Sequence, residues 1–266
     1  MSGLVRPVRP AAMGVVAVLT AMALVVLDAG VVNVALPSIG RALGAGPDRA
    51  LLVVTAYQAG LIMALLPCGA LGESLGHRRV FVWGVTLFTA ASALCAAAPS
   101  LAFLVAARFV QGLGGAAVMA LGVALLRGCV PQDRLGAAIG WNALTVALSS
   151  AAAPAIGAAV LSRAGWPWLF AANLPLGAVA LVAARALPGG PGGGRPVDRA
   201  GMALAAAVFG LPILAVEVWP TQPLVSFALL GPAAVGLSAL VQREASKPAP
   251  LIPLDLLKGR TFRLAA

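Results

Sequence analysis

The chain has 266 residues, 61% hydrophobic and only 10% charged, with a net charge of +10 and a mean hydropathy of +1.00. Soluble domains carry about 25% charged residues, so a surface this poor in charge cannot face water, and lipid must be its solvent. The basic residues stand singly or in pairs between apolar runs, without the clustered stripe and interleaved aromatics of a nucleic-acid binder, which excludes that partner.

Taken in chain order, the apolar runs long enough to span a bilayer, about 20 residues each, are 11–36, 50–71, 80–98, 101–126, 135–162, 167–186, 200–218 and 223–241. The first follows Arg6 and Arg9 but is too long for the apolar region of a signal peptide, so it reads as a mature helix. It contains Asp28. The second carries Gln58 and leads through the short connection 69–79, with Gly69, Glu73, Gly76, His77, Arg78 and Arg79, into the third. The fourth holds Arg108 and a run of small residues at 112–117, which lets helices approach closely in a membrane. The fifth holds Pro154 with Gly157, a kink-prone combination. After the sixth, the glycine- and proline-rich run 188–196 cannot be helical and reads as a flexible cytoplasmic tether. Two more spans follow, and the segment 243–266 ends as a further apolar run begins, as if the next helix were cut short.

The predicted fold class is therefore all-α transmembrane. It divides into a six-helix domain at 1–187, a linker at 188–199, two additional helices at 200–242 and a cytoplasmic segment at 243–266. With the N-terminus inside, the inner segments hold Arg6, Arg9, Arg78, Arg79, Arg127, Arg134, Arg185, Arg195, Arg199, Arg243, Lys247, Lys258, Arg260 and Arg263. The outer ones hold only Arg41, Arg49 and Arg163. This asymmetry predicts a multi-pass protein of the cell (inner) membrane with a cytoplasmic N-terminus. No cofactor or metal is expected: His77 is the single histidine, Cys68, Cys95 and Cys129 lie in or beside apolar runs, and no phosphate-binding glycine-lysine motif occurs.

Asp28 and Arg108 are ionisable residues inside spans, where each costs roughly 2.5–3.5 kcal/mol on insertion scales and therefore faces a cavity or a partner. At about 1.5 Å of rise per residue, both lie roughly 10–12 Å below the outer surface, and Gln58 falls at a similar level. An acid, a base and an amide at one depth predict a polar chamber between helices, with a purely structural ion pair as the plainer alternative. Neither residue has a nucleophile–base partner, so an enzyme is not expected.

These residues, in this order, resemble the major facilitator superfamily, and within it the fourteen-helix drug:proton antiporters of the EmrB/QacA type. The first-span pattern of Leu27, Asp28, Val31, Val32, Asn33 and Pro37 carries the resemblance, with the connection from Gly69 to Arg79 as the superfamily's signature loop. So do Arg108, Gln111, Gly112 and Gly114 in the fourth span, the run from Trp166 through Trp168, Phe170, Asn173 and Pro175 to Gly177, and the stretch 250–262. The loop has Glu73 where Asp is usual and Ser74 where a second basic residue is usual. The fifth-helix antiporter motif keeps Pro154 and Gly157 but has alanine at 153 and 158.

The resemblance implies a proton- and cation-responsive carboxylate at Asp28 and a buried arginine linked to proton coupling at Arg108, with Asn33 and Gln111 from the same motifs beside them; Gln58 joins this coupling set by its depth. It further implies a conformational latch formed by Gly69, Glu73, Gly76, Arg78 and Arg79. The expected function is export of small lipophilic, cationic compounds in exchange for protons, with the bilayer and a missing C-terminal half as partners. Two alternatives stay open: a truncated or split fragment with no transport of its own, and an importer of a metabolite.

Overall fold

The structure, a computed structural model, describes residues 8–190, 192–193, 198–219 and 222–245. In lipid every backbone polar group must find its partner within the protein, which for consecutive apolar residues means the helix. The described elements follow that rule: α1 Val8–Ala42, α2 Pro47–Leu75, α3 His77–Ala96, α4 Leu101–Cys129, α5 Leu135–Leu161, α6 Pro167–Ala171, α7 Asn173–Ala183, α8 Arg199–Val218 and α9 Pro223–Ala245. Counting α6 and α7 as one span, eight helices among the described residues are long and apolar enough to cross a membrane. The chain is a multi-pass membrane protein.

Local chemistry sets several boundaries. Pro47 opens α2, where its missing N–H leaves nothing unsatisfied, and the Ser100 hydroxyl caps α4 by accepting from the Phe103 amide at 3.3 Å. The sixth span breaks at Ala172, because Pro175 has no N–H to give to the Ala171 carbonyl. Pro37, in contrast, sits inside α1, which runs on to Ala42 rather than ending at 36. The predicted connection 69–79 is corrected more deeply. Gly69 and Glu73 are helical, α2 continues to Leu75, and only Gly76 leaves the helix, at φ 99°, before His77 starts α3. A left-handed backbone at that point suits glycine alone.

The described residues form two compact units, divided between Arg195 and Pro196. In the first, α4 is the central post. A methyl group on Gly60 would overlap the Phe109 carbonyl, and one on Gly112 the Tyr57 carbonyl, so α2 and α4 meet backbone to backbone. Gly84 and Gly114 bring α3 equally close to α4, and Gly157 packs on Val31 to join α5 to α1. Without a hydrophobic force between helices, such close van der Waals contact holds a membrane bundle together. The buried apolar side chains gather into two clusters. One lies toward the α2–α3 turn, around Met22, Phe81, Phe88, Leu121 and Leu126; the other lies at the opposite end, around Ile39, Val53, Leu104, Trp166 and Phe170.

The linker is more ordered than a flexible tether over its described part. The Gly193 amide donates to the Glu73 carbonyl at 2.7 Å, Arg78 Nη2 donates to the Arg185 carbonyl at 3.1 Å, and a side chain on Gly192 would collide with the Ser74 carbonyl. The glycine run thus lies against the α2–α3 turn. In the second unit, α8 and α9 form an antiparallel pair. Asp198 caps α8 by accepting from the Gly201 amide at 3.0 Å and also pairs with Arg243 near the end of α9 at 2.9 Å. The predicted segment approaching a further helix, 250–262, lies outside the described residues.

Candidate functional site

Four spans of the first unit each place a polar side chain at the junction between the two apolar clusters. In α1, Asp28 falls between Val25 and Val31; in α3, Ser92 falls between Phe88 and Cys95. In α4, Arg108 and Gln111 fall between Ala107 and Ala116; in the sixth span, Asn173 falls between Phe170 and Ala180. The result is a thin polar layer sandwiched between two greasy ones. Asp28, Ser92, Arg108 and Gln111 are each 0% exposed and Asn173 is 4% exposed.

Arg108 Nη1 donates to Asp28 Oδ2 at 2.5 Å and to Gln111 Oε1 at 2.6 Å, and its Nε donates to the Val53 carbonyl at 3.3 Å. The guanidinium also lies over the Tyr57 ring, 4.1 Å from the centroid, and 5.6 Å from that of Phe170. Asp28 Oδ1 accepts from Asn173 Nδ2 at 2.6 Å and Gln111 Nε2 at 3.1 Å. The same two amides donate to Ser92 Oγ, at 3.3 Å and 2.8 Å, while that hydroxyl donates to the Phe88 carbonyl at 2.9 Å. A buried ion pair is tolerable only when its remaining lone pairs and protons are satisfied. Here the exception is Arg108 Nη2, which with Asn142 Oδ1 makes up the buried side-chain nitrogen and oxygen atoms without a hydrogen-bond partner among the described residues. The aromatic faces beside the guanidinium offer it a cation–π contact instead.

Of the predicted site residues, the structure brings together Asp28, Arg108 and Gln111. It leaves out two. Gln58 is exposed on α2 although it shares their depth, because it lies on the helix face that turns away from α4 while its neighbour Tyr57 turns inward. Asn33 is also exposed, its amide donating to the Ala29 carbonyl of its own helix at 3.2 Å. The predicted chamber is therefore a sealed layer. Gly69, Glu73, Gly76, Arg78 and Arg79 sit apart from it at the α2–α3 turn, and Pro154 and Gly157 lie in α5, where Gly157 contacts α1. Sequence reasoning gave no site role to Ser92, Tyr57 or Asn173, although Asn173 is among the residues that carry the family resemblance. Counting depth for every polar residue would have found them: Ser92 and Asn173 each lie about six residues from the outer end of a span, roughly 9 Å deep.

Eight membrane-length helices with a charge pair sealed between them define a class, the polytopic helical membrane proteins. The profile of the Major Facilitator Superfamily matches residues 18–253, and the chain belongs to that family. It is 40% identical to the uncharacterized transporter YebQ of Escherichia coli, over 99% of this chain and 58% of that protein. It is 33% identical to the multidrug resistance protein Stp of Mycobacterium tuberculosis, over 91% of this chain and 46% of that one. The fold is similar to the crystal structure of the POT family transporter PepTSo, with a TM-score of 0.63 at 16% identity, covering 88% of this chain and 55% of that one. The chain spans about half the length of the curated relatives it matches.

Proposed function

We propose that this chain forms the proton-responsive half of an exporter that moves lipophilic, cationic compounds out of the cell in exchange for protons. The observation that carries the reading is the Asp28–Arg108 pair, fully buried yet ringed by rearrangeable amides. Arg108 is the counter-charge that makes the buried carboxylate tolerable, so the two charges depend on one another. Protonation of Asp28 would leave the Arg108 charge uncompensated, and relief of that imbalance can drive a rearrangement of the helices. Efflux and multidrug resistance in the names of several relatives support export. In this reading the N-terminus and the α2–α3 turn face the cytoplasm, and the substrate passes between two pseudo-symmetric halves.

The test is dye efflux driven by a pH gradient in vesicles holding the two-halved transporter. Asp28→Asn should abolish efflux while expression and insertion stay normal; undiminished efflux would refute the proton role. Gradient-driven uptake of dye in place of efflux would make the protein an importer. A second reading, that this chain alone transports nothing, is favoured by its covering about half of its relatives. Vesicles with this chain alone should then be inactive, and supplying the second half should restore efflux.

A further inference from the structure

Asp28 meets only donors. Oδ2 receives Arg108 Nη1, and Oδ1 receives the amide nitrogens of Gln111 and Asn173. Among the described residues, the titratable or charged groups that face this layer are Arg108 from α4, Tyr57 from α2 and Cys95 from α3; α5 and the sixth span contribute none. The arrangement suits a carboxylate. A protonated carboxyl oxygen is itself a donor and needs an acceptor, which no neighbour of Asp28 presents as it stands.

The three donors differ in what they can offer instead. Arg108 has no acceptor atom. Gln111 Oε1 is already held by Arg108 Nη1 at 2.6 Å. Asn173 is free of that restraint: the nitrogen it shows to Asp28 and Ser92 is geometrically interchangeable with its oxygen by a half-turn of the amide. Ser92 can follow, because its hydroxyl accepts from both amides and can swing its hydrogen from the Phe88 carbonyl toward the turned Asn173 oxygen.

We propose that Asn173 is a positioning residue for the proton site, donating to charged Asp28 and, after a half-turn of its amide, accepting from protonated Asp28. This rests on the reading of Asp28 as the proton carrier. In the step, a proton delivered by water forms the Oδ1–H bond. The hydrogen bond from Asn173 Nδ2 is lost, and one from Asp28 Oδ1–H to Asn173 Oδ1 replaces it, while Arg108 and Gln111 keep theirs. Asn173 is also the first residue of α7, directly after the break at Ala172. Its amide therefore ties the start of that helix, and with it the sixth span, to the proton state of Asp28 on α1.

Infrared difference spectra of this chain in lipid, recorded between high and low pH, give the test. The protonated-carboxyl band that disappears in Asp28→Asn reports Asp28 itself. The half-turn of Asn173 should add an amide-carbonyl band pair to the same difference spectrum, absent in Asp28→Asn and in Asn173→Ala, because its oxygen gains the Asp28 proton as a partner. Isotopic labelling of the asparagine side chains should shift that pair in the wild-type chain and serves where the variant folds poorly, Asn173 being the asparagine that contacts Asp28. A spectrum with the Asp28 band but no amide pair that the label shifts overturns the role of Asn173 and leaves Asp28 as carrier. A wild-type spectrum with no titrating band that Asp28→Asn removes overturns the proton reading and this inference with it.

Discussion

Removing one member of the Asp28–Arg108 pair differs from removing both. Arg108→Gln leaves a buried carboxylate facing two amides without its counter-charge, and breaking a buried pair in this way typically costs about 3–5 kcal/mol. Thermal unfolding in detergent should show that single variant well below wild type. Asp28→Asn combined with Arg108→Gln should recover most of the loss, because neither charge then remains buried alone. A double variant no more stable than the single one would mean that the pair does not carry its own electrostatic cost. The residues of this pair were legible from the sequence because a charge inside an apolar span is rare. Their partners were less so: Ser92 and Asn173 are uncharged, and a lone hydroxyl or amide in a span does not stand out until depth is counted. Gln58 shows the converse error, since equal depth does not fix which way a side chain points around the helix.

The glycines separate into those that let helices touch and those that do not. Gly60 and Gly112 sit where α2 and α4 cross backbone to backbone, so Gly60→Val must push the helices apart, an overpacking penalty of about 1–3 kcal/mol or more. Gly69, although part of the recognised motif, has nothing within 4 Å of the place its side chain would occupy. Gly69→Ala should leave the unfolding temperature unchanged; equal losses in the two variants would contradict this division. The glycine run after the sixth span behaves as a packed strap, and Gly192→Val should dislodge it. Faster hydrogen–deuterium exchange over 186–193 would register that release, and unchanged exchange would show the contact to be dispensable. Composition revealed that this run is not helical, yet gave no sign that it lies on the α2–α3 turn, because that contact depends on backbone approach and not on side-chain type. The α2–α3 connection itself was read as a loop from its glycines, but only Gly76 needs a conformation that the helix cannot supply.

The whole chain was legible as a membrane bundle from hydropathy alone, and its spans differ from the predicted ones by only a few residues at most ends. The orientation rests on the distribution of basic residues. With Cys68, Cys95 and Cys129 all buried, a single new thiol can report it. Gln132→Cys, beside the start of α5, should be shielded in intact cells from a reagent that cannot cross the membrane, while Ser162→Cys, just past the end of α5, should be labelled. The reverse pattern would invert the proposed topology.

The layering of the bundle has a mechanical meaning. Each apolar cluster stoppers the polar layer against one side of the bilayer, so water reaches Asp28 only by parting one stopper while the other stays shut. In the proposed exchange of protons, the stopper that yields first would set the compartment from which Asp28 is served, giving the two clusters the parts of the doors in an airlock.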